Sequence, residues 1–283
     1  MSKVEQQGFL TIAQNNSTTD YLRMAYTQAL SVKLTMPNSK YAVLVDDATF
    51  DLIEDKHKQV FDYIIKLPVD EAVDQEWKLN NEWQVFALSP FKETIKLESD
   101  LLFTRSIDHW WTIFRLRNVV LSLGCKDYQG NTATSRRYRQ VFDDNKLPDV
   151  YTGLMYFRYS QEAYTFFEVA AACFKHWDSI VPQLKKYSEH QPTTDLVYAI
   201  VCQHLGIENY TLPGCDFINF THMKNSINHW PEATPWSKLV ISEIDAPMIR
   251  INGINQYHPF HYQDKEWLTD DIIRKFEQAW LKN

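Results

Sequence analysis

The chain has 283 residues, of which 45% are hydrophobic and 14% aromatic, with a formal net charge of -7. That supplies a large core, as one α/β domain or as two packed halves, and excludes a disordered or collagen-like chain. The acidic balance argues against non-specific binding to nucleic acid, which needs clustered Lys and Arg, but leaves a local basic patch open.

In chain order, Gly8 to Ala13 (GFLTIA) is a short apolar run ending in Gln14, Asn15 and Asn16, the pattern of a buried strand that opens into a polar loop. Thr19 or Asp20 can cap a helix from Tyr21 to about Leu34. Tyr41 to Val45 and Val60 to Leu67 follow as strands, then a helix through Trp83 to Leu88, then Thr94 to Leu97 leading into Glu98. Strand and helix alternate, so a mostly parallel sheet is expected. Val119 to Leu123 is a further strand. Lys126 to Asp149 is polar and weakly periodic, so it is expected to be a functional or poorly ordered loop. Val150 to Phe157, Phe217 to Phe220 and Met248 to Ile251 are strands, and Gln161 to Trp177 and Thr194 to His204 are helices. Leu268 to Leu281 closes the chain as an amphipathic helix, with Leu268, Ile272, Ile273, Phe276 and Trp280 on one face.

The four cysteines, Cys125, Cys173, Cys202 and Cys215, form no CxxC pair, which favours an intracellular chain with free thiols over a zinc ribbon or redox motif. The N-terminal MSKVEQQGFL lacks the apolar stretch of a signal peptide. No apolar run approaches the ~20 residues that span a bilayer, so a cytoplasmic location is expected.

The residues richest in chemistry are Glu98 and Asp100, in Ile95-Lys96-Leu97-Glu98-Ser99-Asp100. On an extended backbone, side chains two apart point the same way, so both carboxylates can reach one hard cation. Ligands of open α/β sheets bind beyond the carboxyl ends of strands, where this pair is expected to sit. Two acids in a solvated loop give the same spacing.

The stretch from Phe91 to Asp108 (FKETIKLESDLLFTRSID) resembles the metal-binding segment of the glycogenin-like, family-8 glycosyltransferases. There a strand ends in Asp-x-Asp, followed by a short apolar stretch and an Ile-Asp. Asp100 matches the family directly, whereas Glu98 departs from its usual Asp and could ligate the metal or contact the ribose. The resemblance implies a Rossmann-like GT-A fold with a central mixed, mostly parallel sheet. It also implies a single domain over 1–283, with 1–118 the nucleotide-binding half and 119–283 the acceptor and sugar half. Its co-substrate would be a nucleoside diphosphate sugar, UDP-linked by preference, its metal Mn2+ or Mg2+, and its outcome retention.

Carried over residue by residue, the resemblance puts Ala13, Gln14, Asn15 and Tyr21 around the nucleobase. Lys78 is similar in kind to a family Lys but lies about one turn upstream of the expected place. Val150 to Met155 resembles the family's Asn-Ser-Gly strand beside the sugar, with Tyr151 and Thr152 in the Asn and Ser positions and Gly153 matching outright. Asp195 resembles the first residue of an Asp-Gln pair near the donor sugar, the Gln being Leu196 here, and is the nearest candidate to steady an oxocarbenium-like centre. A plain helix cap is the alternative for Asp195. His222 stands where a third metal ligand is expected; Lys224 comes earlier than the family's diphosphate-neutralising Lys, though it could still reach a phosphate, and the later segment reads Asn228-His229-Trp230-Pro231. The family has a His followed by that Lys and a Pro-Trp. His258 and His261, in HPFH, could suggest zinc, but an aromatic lip of the cleft is the plainer expectation.

For the acceptor, Arg136, Arg137 and Arg139 interleave with Tyr138, a composition that can grip a phosphate backbone and stack on a base, or simply begin a solvated helix. The chain as a whole resembles glycosyltransferase-like proteins of tailed phages, some of which glycosylate hydroxymethylated bases of their own DNA. That implies a DNA acceptor in the host cytoplasm. A glycan, lipid or protein acceptor, or a degenerate protein that only binds nucleotide sugar, is the alternative.

Overall fold

The computed structural model describes residues 3–133, 136–187, 191–208, 218–223 and 234–282, without the side chains of 133–138. A six-stranded sheet carries the architecture. Its strands are β1 (Glu5–Ala13), β2 (Tyr41–Val45), β3 (Tyr63–Lys66), β4 (Phe91–Leu97), β6 (Val119–Leu123) and β9 (Val150–Arg158), in the order β3-β2-β1-β4-β9-β6. The first four pair in parallel, and β9 runs antiparallel to both β4 and β6. The chain is therefore an α/β protein with a mixed, mostly parallel central sheet.

β2 and the second half of β1 are mostly apolar on both faces because both faces are covered. In β1, Phe9 and Ala13 enter one core and Leu10 the other; in β2, Tyr41, Val43 and Val45 oppose Ala42 and Leu44 in the same way. The first face is covered by α1 (Tyr21–Thr35), whose N-cap Asp20 accepts from the Arg23 N–H. The second is covered by α3 (Gln161–Lys175) and α4 (Thr194–Leu205), started by Ser160 and Thr193. The left-handed φ of 64° at Gly206 ends α4 at a residue without a Cβ. The terminal α5 (Asp270–Trp280) is capped by Thr269 and buries Ile272 and Phe276.

A second sheet of short strands lies beyond the carboxyl end of β4. Its order is β5 (Leu101–Leu102), β14 (Phe260–His261), β10 (Thr221–His222), β7 (Cys125–Lys126), β8 (Thr132–Ala133). A third sheet joins β11 (Ser242–Asp245), β12 (Met248–Ile251) and β13 (Ile254–Asn255). No helix among the described residues is long and apolar enough to cross a membrane.

Three local expectations change. Val60 ends a helical turn (Asp55–Val60) before β3 begins at Tyr63. Lys126 to Asp149 contains β8 and a helix, α2 (Arg136–Asn145), because Val141 and Phe142 give it a buried side. Ile218 to Phe220 is not strand; the pairing starts one residue later at Thr221, and Phe217 lies outside the described residues.

Candidate active site

β4 ends at Leu97, and the chain turns through Glu98, Ser99 and Asp100 into β5. Gln28 of α1, fully buried, fixes this turn. Its Nε2 donates to the Glu98 carbonyl at 2.6 Å and to the Leu101 carbonyl at 2.7 Å, while its Oε1 accepts from the Tyr41 hydroxyl. From the other side, the Glu98 N–H donates to the Gly153 carbonyl at 3.0 Å. Both carboxylates are thus set by backbone anchors rather than left on a mobile loop.

The second sheet delivers a third group. β14 pairs antiparallel with β5, so His261 lies opposite Leu101, next to Asp100, and the Tyr262 N–H donates to the Asp100 carbonyl at 3.1 Å. His261 Nε2 is 3.0 Å from Asp100 Oδ1 and 3.3 Å from Glu98 Oε2. One ligand atom from each of Glu98, Asp100 and His261 falls within 4.8 Å of the others. Lys265 binds Asp100 through its ammonium group. Parallel pairing of β10 with β14 puts His222 beside His261, ring centroids 4.7 Å apart, in the wall of the same cavity. Among the described residues it is His261 that falls in one group with the two carboxylates, and His222, where a third ligand was expected, lines the cavity beside it.

The electrostatics follow from crowding. Burial is the largest influence on Glu98 and pushes its carboxyl up, helped by Asp100 and Asp195 and opposed by His261. Burial also acts to raise Asp100, but the His261 and Lys265 charges overcome it and hold that carboxyl well below the usual carboxylate range. Burial works against the His261 imidazolium, yet Asp100 outweighs it and raises the histidine. Lys265 is raised in the same way. Asp100 is thus held as an anion, with Lys265 as its counter-charge and His261 beside it. The donor set, two carboxylates and an imidazole, suits a hard or borderline divalent cation such as Mn2+ or Mg2+.

These groups form the floor of a cavity of about 1020 Å³. Ile12, Gln14, Asn16 to Thr19 and Tyr21 line one side; Trp77, Lys78 and Glu82 another; Tyr151 to Gly153 and Thr193 to Asp195 a third. Gly153 is there for space: a Cβ would come within 3.1 Å of the Phe220 ring.

Several expected roles change on this geometry. Ala13 is fully buried in the core and does not line the cavity. Gln14 reaches the cavity, but its amide is committed: Oε1 accepts from Asn81, and Nε2 faces Asp46 and Asp70. Asn15 serves the start of α1, accepting from the Leu22 N–H and donating to Asp20. Tyr21 does line the cavity, with the Lys265 ammonium 5.8 Å from its ring. Lys78 lines it too, while donating to the Ala72 and Val73 carbonyls.

Thr152, Gly153 and Asp195 come together as expected. Asp195 Oδ1 accepts from both the N–H and the hydroxyl of Thr152, each at 2.7 Å. Arg139, expected on an acceptor-binding surface, is 1% exposed and bound to Asp149, Asp195 and the Val150 carbonyl. A buried guanidinium with those partners does not grip an external phosphate. The side chains of Arg136 and Arg137, in α2, and the whole of Lys224 lie outside the described residues.

On sequence alone His261 falls in an aromatic lip of the cleft, and Lys265 does not stand out. The signal was present: His261-Tyr262-Gln263-Asp264-Lys265-Glu266-Trp267 repeats the order His, Lys, Trp sought around His222.

No protein-family model and no curated protein matches the sequence. Among solved structures, an active-site mutant of LgtC superimposes with a TM-score of 0.45 and 12% identity, over 69% of this chain and 70% of that one. Mouse xyloside xylosyltransferase 1, in its apo form, gives a TM-score of 0.43 and 12% identity over 72% and 83%. The apo glycosyltransferase GlyE of Streptococcus pneumoniae TIGR4 gives 0.41 and 12%, over 74% of this chain and 45% of that one. The chain spans less than half of GlyE.

Proposed function

We propose that the chain is a GT-A-type glycosyltransferase that moves a sugar from a nucleoside diphosphate sugar, by preference UDP-linked, with a divalent cation held by Glu98, Asp100 and His261. The observation that carries this reading is the convergence of two carboxylates and an imidazole at the carboxyl end of a central strand, on the floor of a large cavity. A bound Mn2+ or Mg2+ there would offset the charge that develops on the leaving diphosphate.

The chain's own residues do the rest. Lys265 presents a cation beside Asp100 and can turn to a phosphate oxygen as a point charge. Tyr21 offers a ring face to the nucleobase from the half of the cavity built by residues 1–118. Thr152, Gly153 and Asp195, from 119–283, line the place for the sugar. Asp195 already accepts three hydrogen bonds of the about four a carboxylate can take. We assign it to holding Thr152 and orienting the sugar, from where its charge can steady an oxocarbenium-like centre. Retention of configuration remains part of the proposal through the family resemblance.

The acceptor proposed is a hydroxymethylated DNA base, supported by Arg136 and Arg137 at the start of α2 and by the resemblance to phage proteins; a glycan, lipid or protein is the alternative. A second reading has its own observation. Lys265 pairs with Asp100 and His261 lies 3.0 Å from it, so Asp100 has counter-groups within the protein itself, which fits a protein that binds nucleotide sugar without turnover.

Incubation with Mn2+ and a panel of nucleotide sugars, followed by assay of released nucleoside diphosphate, decides between them. Release with at least one donor, lost in Glu98→Ala and Asp100→Ala, is expected. No release with any donor, together with unchanged ligand binding in both variants, rejects the enzyme. Mass spectrometry of nucleosides from treated hydroxymethylcytosine DNA then tests the acceptor, and an unmodified base alongside active donor hydrolysis rejects DNA.

A further inference from the structure

Arg139 is the largest charged side chain that the fold buries beside the cavity without letting it line the wall. It projects from α2, and its guanidinium lies between two rings, 3.9 Å from the centroid of Phe142 and 3.8 Å from that of Tyr151. Each edge of the guanidinium is used. Nε meets Asp149, Nη1 meets Asp195 Oδ2 at 2.9 Å, and Nη2 meets the Val150 carbonyl. A planar fork held on both faces and at three edges has one orientation. It therefore fixes its partners rather than following them.

The partner that leads to the site is Asp195. Its other oxygen accepts from the Thr152 N–H and hydroxyl, both at 2.7 Å. Thr152 and Gly153 in turn seat Glu98: the Thr152 Oγ1 lies 3.3 Å from Glu98 Oε1, and the Gly153 carbonyl accepts from the Glu98 N–H at 3.0 Å. The path runs from α2 through α4 and the start of β9 to the first acidic residue of the turn after β4. Along it, Arg139 to Asp195, Asp195 to Thr152 and Gly153 to Glu98 are hydrogen bonds between residues far apart in sequence, while the Thr152 hydroxyl, whose one proton goes to Asp195, is in van der Waals and polar contact with Glu98.

We propose that Arg139 is a positioning residue for the donor site, setting the position of Glu98 through Asp195 and Thr152 and thereby tuning the affinity for the divalent cation. It also offsets the Asp195 charge, which keeps a third carboxylate in the cavity wall from competing for the cation with Glu98 and Asp100. This rests on the reading of Glu98, Asp100 and His261 as a metal site.

The test is calorimetric titration of Mn2+ into the full chain, wild type and variants, at a temperature well below the lowest melting point. Residues that orient metal ligands change metal affinity by about ten- to a hundredfold when removed, so Arg139→Met is expected to bind Mn2+ that much more weakly. Thr152→Val keeps the backbone N–H bond to Asp195 and loses only the hydroxyl, so about fivefold is expected. Thr152→Val also decides the matter should Arg139→Met fail to fold. A merely structural arginine lowers the melting point and leaves the Mn2+ affinity of the folded protein alone. Wild-type affinity in Thr152→Val and in folded Arg139→Met overturns the proposal. Asp100→Asn in the same series separates the two readings: wild-type affinity in that variant, or no Mn2+ binding by wild type, rejects the metal site itself.

Discussion

Replacing Lys96 by Met tests how the acidic turn is supported from beneath. Lys96 stands on β4 two residues before Glu98, and its Nζ lies 2.6 Å from Glu82 Oε2, with the two side chains 0% and 3% exposed. Neither atom has a further hydrogen-bond partner among the described residues. Met keeps the length and removes the charge, leaving the buried Glu82 carboxylate without its counter-charge. Breaking a buried pair in this way costs about 3–5 kcal/mol, whereas removing both charges together is near neutral. With an unfolding entropy of about 2.1 cal/mol/K per residue, a chain of this length loses about 5–8 °C of melting temperature for that cost. Thermal and urea denaturation followed by circular dichroism should show this for Lys96→Met and a substantial recovery for the E82L/K96M double variant. Lys96 also helps hold the Glu98 carboxyl down against burial, so its removal pushes Glu98 further up. A loss below about 1 kcal/mol in the single variant, or a double variant worse than the single, refutes the claim that the pair is an uncompensated buried ion pair.

Two further outcomes are expected. Gln28→Leu removes two donors from the Glu98 and Leu101 carbonyls and an acceptor from Tyr41, at a cost of about 2–4 kcal/mol in denaturation, and it should weaken Mn2+ binding; unchanged stability would show that the turn holds itself. The pH dependence has a definite sign. Asp100 sits low, so its contribution to stability is present above about pH 4 and lost as the pH falls. His261 sits high, so its contribution is present below about pH 6.5 and lost as the pH rises through its raised value. A cation has to displace that proton, so Mn2+ affinity rises from pH 6 to pH 8.5 or so, and a flat profile contradicts the ligand set.

What sequence showed and what it hid divide along physical lines. β2 and the second half of β1 were legible because strands buried on both faces are near-continuous apolar runs, β4 was legible only at its end, Thr94 to Leu97, because Lys92, Glu93 and Lys96 interrupt it, and α1 was legible through its cap at Asp20. Glu98 and Asp100 were legible because two acids at the end of such a run have a predictable place. His261 was not, since β14 is two residues long and gains its position only by pairing with β5 and β10. Arg139 looked solvated among basic neighbours: Phe142 is its i+3 neighbour on α2, but its ion-pair partner Asp195 lies 56 residues away and Tyr151 comes from another element. Gln14 looked free to read a base, because its partners Asn81, Asp46 and Asp70 lie 32 to 67 residues away. Pairing that is non-local in sequence accounts for each miss.

The most direct test of the central claim is Mn2+ titration of the full chain in the presence of UDP, with wild type, Asp100→Asn and His261→Ala side by side. Glu98, Asp100 and His261 acting as one ligand set predicts saturable Mn2+ binding by wild type and loss of about a hundredfold or more in both variants. Binding that survives in both, or wild-type protein that binds UDP equally with and without Mn2+, contradicts it.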